Sequence, residues 1–142
     1  MLIIHPIIQC LSILLAIYVF YLGAQRFRSL HFHQQAIFQW KLHVLLGGLS
    51  LVAFITGIFG GMVMVYLYWH SILITNIHAK VAFIMAPFIV FGFLSGLHIN
   101  LKKEKKSILA LIHGINNFLV LIFALIQIFT GWWVYRTFVL GG

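Results

Sequence analysis

The segment ILITNIHAKVAFIMAPFIVFGFLSGLHIN, residues 72–100, is almost entirely apolar, yet it carries His78 near its start and His98 near its end. An apolar run of about 20 residues or more is long enough to cross a hydrocarbon core roughly 30 Å thick. Further runs of this kind occur along the chain. The predicted membrane-spanning helices are residues 2–25, 40–67, 72–98 and 108–135.

The composition of the chain agrees with this prediction. Of 142 residues, 63% are hydrophobic, nine are Lys or Arg, and Glu104 is the single acidic residue, which is too little charge for an ordinary soluble surface. Four helices use nearly the whole chain and leave no room for a soluble catalytic domain, and short connections favour antiparallel packing of successive helices. We therefore expect an all-α protein, a membrane-spanning up-and-down four-helix bundle that forms one domain over residues 1–142 and contacts membrane lipid.

The formal net charge of +8 is concentrated in short segments, mainly AQRFRSL (24–30) and NLKKEKKS (100–107). Such clusters in loops indicate membrane topology, and no nucleic-acid partner is expected. Seven basic residues lie on one side of the predicted membrane and two on the other. The seven are Arg26, Arg28, Lys41, Lys102, Lys103, Lys105 and Lys106, and the two are Lys80 and Arg136. The positive-inside rule then places the first and third loops in the cytoplasm and both termini on the non-cytoplasmic side.

Eight histidines are unusual in so apolar a chain, because ionisable side chains within a bilayer are costly and tend to be functional. Four of them occur once per predicted helix, each within the first two turns, at separations of 38, 35 and 35 residues. These four are His5, His43, His78 and His113. Because successive helices alternate in direction, the histidines of the first and third helices are expected near the outer face and the other two near the cytoplasmic face.

In a square up-and-down bundle, the first and third helices lie on one diagonal and the second and fourth on the other. With neighbouring axes about 8–10 Å apart the diagonal is roughly 11–14 Å, a gap that two imidazoles fill when both bond one iron at about 2 Å. The pattern therefore predicts two bis-histidine haem sites, His5 with His78 and His43 with His113. Protein ligands on both axial positions favour electron transfer over oxygen chemistry.

Other interpretations of these histidines stay open. A lone histidine in a helix is more often a hydrogen-bonded packing residue than a ligand. A zinc site is a weaker alternative, because each pair supplies only two ligands and no Cys or carboxylate is ready to complete a tetrahedron. The glycines are similarly ambiguous, since Gly57 with Gly61 and Gly92 with Gly96 have a spacing that suits close helix packing and equally suits a flat cofactor face.

The remaining histidines are expected at the membrane surface. His98 is 20 residues from His78, which turns it about 200° away around the helix, so it should meet water, headgroups, a partner or a quinone at the cytoplasmic rim. Solvated loops are expected for His31, His33 and His70.

Five short segments around the four helical histidines are IIHPII (3–8), YLGAQR (21–26), LH (42–43), IHAK (77–80) and IHGIN (112–116). They resemble the cytochrome b561 family, transmembrane carriers with two b-type haems held by four histidines on four consecutive helices. The first two segments resemble the His-Pro start and the arginine-bearing end of the family's first core helix, and the others occupy the places of the remaining ligands. The resemblance covers essentially the whole chain and implies an outer haem b held by His5 and His78 and a cytoplasmic haem b held by His43 and His113.

The chain resembles most the short four-helix members found in bacteria and plastids, without the extra helix on each side of the ascorbate-using animal and plant members. This resemblance implies a bacterial inner membrane or a plastid or thylakoid membrane. Arg26, Arg28 and Lys41 are candidate counter-charges for the cytoplasmic haem propionates, although the positive-inside signal explains them equally well. Lys80 is the corresponding candidate for the outer haem. Candidate hydrogen-bond donors near the ligands, or helix-packing residues, are Asn76, Asn116 and Asn117.

The sequence thus predicts a diheme b-type cytochrome that carries electrons across or within a membrane, as an electron-transfer protein or an oxidoreductase subunit without catalytic side chains. Expected partners are proteins of a redox complex and a quinone or small reductant. One alternative is a haem-bearing anchor subunit of a larger quinone-linked or photosynthetic complex. The other is a purely structural membrane subunit whose histidines serve packing or pigment ligation.

Overall fold

The computed structural model describes residues 2–32, 35–102 and 107–141, and the described residues form four long α-helices. The helices are α1 (Ile4–His31), α2 (Trp40–Trp69), α3 (Ile77–Lys102) and α4 (Ile108–Phe138). With 26 to 31 residues each, all four are long and apolar enough to cross a membrane. A helix satisfies its own backbone hydrogen bonds, which lipid cannot do for it. The prediction of an integral membrane protein with four spans is confirmed.

The helices pack as an up-and-down bundle. α1 packs against α2 and α4, and α3 packs against the same two helices, whereas the diagonal partners make no close backbone contact within the described residues. One end of the bundle holds the C-termini of α1 and α3 and the N-termini of α2 and α4. We call it the basic end, because Arg26, Arg28, Lys41 and Lys102 lie there. The opposite end, with Lys80 and Arg136, is the far end. The predicted all-α up-and-down architecture is confirmed.

The end of α1 and the start of α3 differ most from the sequence prediction. α1 continues to His31 through the segment that we expected to form a loop, so Arg26 and Arg28 lie in its last turns, where cations interact favourably with the helix dipole. α3 begins at Ile77 rather than at residue 72, because residues 74–76 form a turn in which Asn76 has a φ of 46°. Asparagine tolerates this left-handed conformation better than most residues. His33 and residues 103–106 lie outside the described residues.

The core of the bundle is an apolar layer midway along the helices. It is built from buried side chains of all four helices: Ile13, Leu51, Phe54, Met85, Ile89, Val120 and Ala124. Phe88 and Phe123 pack against this layer with their ring centroids 5.6 Å apart. Most large hydrophobic side chains outside it are exposed, which suits a surface that faces lipid. The layer therefore separates the two ends of the bundle.

Amide side chains join neighbouring helices on either side of this layer. Gln9 of α1 donates through Nε2 to the Ala53 carbonyl of α2 at 3.3 Å. Asn116 of α4 donates through Nδ2 to the Phe88 carbonyl of α3 at 2.9 Å, and its side chain is buried. Hydrogen bonds of this kind between membrane helices contribute about 0.6 kcal/mol on average. They fix the register of α1 on α2 and of α4 on α3.

Candidate functional site: two histidine pairs

The first histidine pair lies at the far end of the bundle. His5, in the first turn of α1, faces His78, in the first turn of α3, with their ring centroids 6.5 Å apart and their planes at 81°. Two metal–nitrogen bonds of about 2 Å, plus the distance from each nitrogen to its ring centre, give a centroid separation of roughly 6 Å for two imidazoles on one metal. The far-end pair therefore has the spacing of two ligands on opposite sides of one metal ion.

The second pair lies at the basic end. His43 of α2 and His113 of α4 both line a cavity of about 1490 Å³. All four helices contribute to the walls, which are mainly apolar and contain several glycines. The floor reaches Leu51 and Phe54 of the apolar core. The cavity thus extends from the basic end down to the middle of the bundle, with one histidine on each of two diagonal helices.

Three of the four imidazoles make a hydrogen bond through Nδ1. His43 donates to the Val19 carbonyl at 3.2 Å, and a carbonyl only accepts, so this ring carries its proton on Nδ1. The Nδ1 atom of His113 lies 2.9 Å from Ser95 Oγ and 3.2 Å from the Nδ2 atom of Asn117, which only donates. His78 Nδ1 lies 3.0 Å from a hydroxyl of α4. In His43 the proton on Nδ1 leaves the Nε2 lone pair available for a metal, as in many metal sites where a second partner orients the histidine.

Each of the four rings also packs against a glycine of the neighbouring helix. A Cβ atom added at the glycine would lie 3.0 to 3.2 Å from Cε1 of the imidazole, which is too close without a shift of the ring. The contacts are His5 with Gly61, His43 with Gly23, His78 with Gly131, and His113 with Gly96. A larger residue at any of these crossings would push the ring by a few tenths of an ångström.

The regular placement of these glycines was not predicted from the sequence. On every helix the histidine and the glycine are separated by 18 positions, which is five helical turns, so both lie on one face about 27 Å apart. The four intervals are 5 to 23, 43 to 61, 78 to 96 and 113 to 131. From the sequence, Gly61 and Gly96 were notable only for their spacing from Gly57 and Gly92. The structure places both against histidine rings.

Gly57 and Gly92, the first glycines of the two small-residue pairs, pack against amide side chains. Gly57 lies against the side chain of Gln9, and a Cβ added there would collide with it. Gly92 lies against Asn117, whose Oδ1 would be 2.5 Å from an added Cβ. These glycines therefore leave room for a polar side chain, Gln9 beside Gly57 and Asn117 beside Gly92.

The charged residues predicted to assist the haems are placed differently from one another. Arg26 lines the basic-end cavity and its guanidinium lies 5.7 Å from the centroid of the Phe38 ring. That ring is in turn 5.4 Å from the ring of His43. Lys41 is exposed in the first turn of α2, and Lys80 is exposed in a shallow surface depression beside Phe83. The structure brings Arg26 close to the second histidine pair and leaves the roles of both lysines as predictions.

The predicted asparagine donors are also separated by the structure. Asn117 contacts His113, with Nδ2 at 3.2 Å from the ring Nδ1 and a hydrogen bond of 2.8 Å to the backbone carbonyl. Asn116 instead joins α4 to α3, so it is a helix-packing residue. Asn76 occupies the turn before α3.

His98 is exposed on α3 and does not line the described cavity, in agreement with its predicted helical phase. His70 is exposed at the end of α2, whereas His31 belongs to the last turn of α1.

Comparison with known proteins gave no match to a family model, to a curated protein or to a solved structure. The resemblance to the cytochrome b561 family stays a prediction that depends on the five quoted segments.

Proposed function

We propose that the chain is a membrane-bound diheme b-type cytochrome in which His5 and His78 hold one haem b and His43 and His113 hold the second. The observation that carries this proposal is the 6.5 Å separation of the His5 and His78 rings across the bundle diagonal. This separation is close to the roughly 6 Å expected for two imidazoles on one metal, and the two rings come from helices that make no close backbone contact within the described residues.

The composition of each pair supports haem over a metal ion held by protein alone. Among the described residues, no three His, Cys, Asp or Glu side chains come together as a metal-binding group. Each pair therefore supplies two nitrogen ligands, whereas a zinc site needs three or four from the protein. Haem iron takes four nitrogens from its macrocycle and needs only two axial ligands, which is the number available here.

The basic-end cavity supports the second site. Its volume of about 1490 Å³ exceeds the roughly 300–1,000 Å³ of most small-molecule sites, as a large macrocycle requires. Glycines 23, 47, 48 and 96 line its walls, so flat apolar surface is exposed to the interior. Arg26 lies at the basic end of the cavity, where it is suited to neutralise the carboxylates of a propionate-bearing ligand.

The depths of the two histidine pairs support transfer between the faces of a membrane. Gly23, which contacts His43, is 18 positions along α1 from His5. The levels of His5 and His43 along the bundle therefore differ by about 27 Å. Haem, when bound, supplies one-electron exchange between ferrous and ferric iron. The chain contributes the axial imidazoles, the hydrogen bonds that orient them, and an apolar core that excludes water between the sites. Quinone, a small reductant, or proteins of a redox complex are the proposed exchange partners, and the basic end is proposed to face the cytoplasm.

The test is the absorbance spectrum and haem content of the purified full-length protein in detergent. We expect a reduced b-type spectrum, two haem b per chain, and a redox titration with two components. A colourless protein that takes up no haem on reconstitution would overturn the proposal and favour a structural membrane subunit. Two haems that are reduced only when further subunits are present would instead identify an anchor subunit of a larger redox complex.

A further inference from the structure

Two polar side chains of α4, Thr130 and Gln127, meet His78 inside the membrane-spanning part of the bundle. His78 Nδ1 lies 3.0 Å from Thr130 Oγ1. Thr130 Oγ1 lies 2.8 Å from Gln127 Oε1, and Gln127 Nε2 lies 3.1 Å from the backbone carbonyl of His78. The three residues therefore form a closed ring of hydrogen bonds between α3 and α4.

The direction of each hydrogen bond in this ring is fixed by chemistry. The His78 carbonyl only accepts, so the amide nitrogen of Gln127 must face it and the amide oxygen must face Thr130. That oxygen also only accepts, and so do the backbone carbonyls of Ile126 and Gln127, which lie 3.3 and 3.4 Å from Thr130 Oγ1. Thr130 therefore donates its single proton to one of these oxygens, the nearest being Gln127 Oε1. The hydroxyl oxygen is then left to accept, which requires a proton on Nδ1 of His78. The ring thus selects the tautomer whose Nε2 carries the free lone pair.

We propose that Thr130 and Gln127 are positioning residues that hold the His78 imidazole in its Nδ1–H tautomer and thereby set the redox potential of the far-end haem alone. The inference rests on the proposed function, in which His78 is an axial ligand. A hydrogen bond from Nδ1–H makes an imidazole a more basic ligand, and a more basic ligand stabilises ferric over ferrous iron. Loss of the Thr130 hydroxyl should therefore raise the midpoint potential.

The effect should stay local because the second pair has its own partners. His113 is oriented by Ser95 and His43 by the Val19 carbonyl, at the other end of the bundle. Neither contact involves α4 residues near Thr130. Breaking the hydrogen-bond ring of His78, Thr130 and Gln127 should consequently shift the midpoint potential of one haem and leave that of the other unchanged.

The first experiment compares Thr130→Val, which keeps the shape and removes the hydroxyl, with Thr130→Ser, which keeps the hydroxyl. Thr56→Val is a matched control, because Thr56 is exposed and donates to the Ala53 carbonyl of its own helix, at 3.1 Å. In redox titrations of the haem-loaded protein we expect an upward shift of one component in Thr130→Val, and wild-type potentials in Thr130→Ser and Thr56→Val. Equal potentials in all four proteins, or a shift of both components, would overturn the proposal.

The second experiment uses haem-free protein in lipid nanodiscs, with the ¹⁵N chemical shifts of the His78 imidazole as the readout. We expect the Nδ1–H tautomer in the wild type and in Thr130→Ser, and a mixture of tautomers in Thr130→Val. An Nε2–H tautomer in the wild type would contradict the ring. If the wild type binds no haem at all, the proposed function fails, and this measurement still decides whether Thr130 and Gln127 hold the histidine.

Discussion

The imidazole rings of His5 and His78 face each other across the bundle diagonal at a centroid separation of 6.5 Å, although their helices make no close backbone contact. The side chains alone bridge the gap between α1 and α3. Loss of either ring should therefore destroy the site, because no third His, Cys, Asp or Glu side chain joins this pair within the described residues.

We predict that His5→Ala and His78→Ala each lower the haem content from two to one per chain and remove the same spectral component. The double variant should lose no more haem than either single variant, because both residues serve one iron. His43→Ala and His113→Ala should remove the other component. Haem content with low-temperature difference spectra measures this. If His5→Ala and His43→Ala erased the same component, the pairing would be wrong.

The fold could be predicted almost completely from hydropathy, because a span requires a long apolar run and little else. The start of α4 was predicted correctly at Ile108, where Ser107 caps the helix by accepting a hydrogen bond from the Ala110 backbone at 3.2 Å. The start of α3 was predicted five residues too early. Residues 72–74 are apolar and look helical, but the left-handed conformation of Asn76 ends the preceding turn there.

The pairing of the histidines could be proposed from the sequence, because it depends only on their depth and on the alternating helix directions. The residues that orient the histidines could not be predicted, because hydrogen-bond partners such as Val19, Ser95 and Thr130 depend on the rotation of neighbouring helices. Serine and threonine are common in membrane helices for packing reasons, so their presence indicates little. The glycine positions carried a usable signal, namely the 18-residue interval repeated on all four helices.

His98→Ala should leave both haems in place. His98 is exposed on α3 and does not line the basic-end cavity, so its removal changes no ligand and no wall of either site. The visible spectrum and the haem content of the purified variant should match those of the wild type. Complete loss of one component would show that His98, rather than His43 or His113, is a ligand at the basic end.

Cysteine labelling should place the basic end in the cytoplasm. Lys102 and Ser71 are exposed at opposite ends of the bundle, and Cys10 is replaced by serine to give a background without cysteine. We expect Lys102→Cys to react with a membrane-impermeant maleimide only after the membrane is opened, and Ser71→Cys to react in intact cells or vesicles of native orientation. The reverse pattern would exchange the faces served by the two haems.

The glycine contacts allow a test with two variants of the same helix that differ chiefly in one steric contact with a histidine ring. Gly60 and Gly61 are neighbours in α2, and replacing either with alanine removes a helical glycine, which favours the helix by about 1 kcal/mol in both cases. An alanine Cβ at position 61 would lie 3.1 Å from Cε1 of His5, whereas one at position 60 meets no atom within 4 Å. Only Gly61→Ala should therefore push the His5 ring from its position.

Displacing an oriented ligand typically weakens metal binding by about tenfold to a hundredfold, so Gly61→Ala should lose affinity for the far-end haem by about tenfold while Gly60→Ala titrates like the wild type. On α4, Gly131→Ala should weaken the same haem, because a Cβ there would lie 3.2 Å from Cε1 of His78. Haem titration of the apoprotein, followed at the absorbance of each component, provides the measurement. The basic-end component should stay unchanged in all three variants. If Gly60→Ala weakened haem binding as much as Gly61→Ala, the effect would come from the backbone of α2, and the contact between glycine and histidine would have no role in holding the ligand.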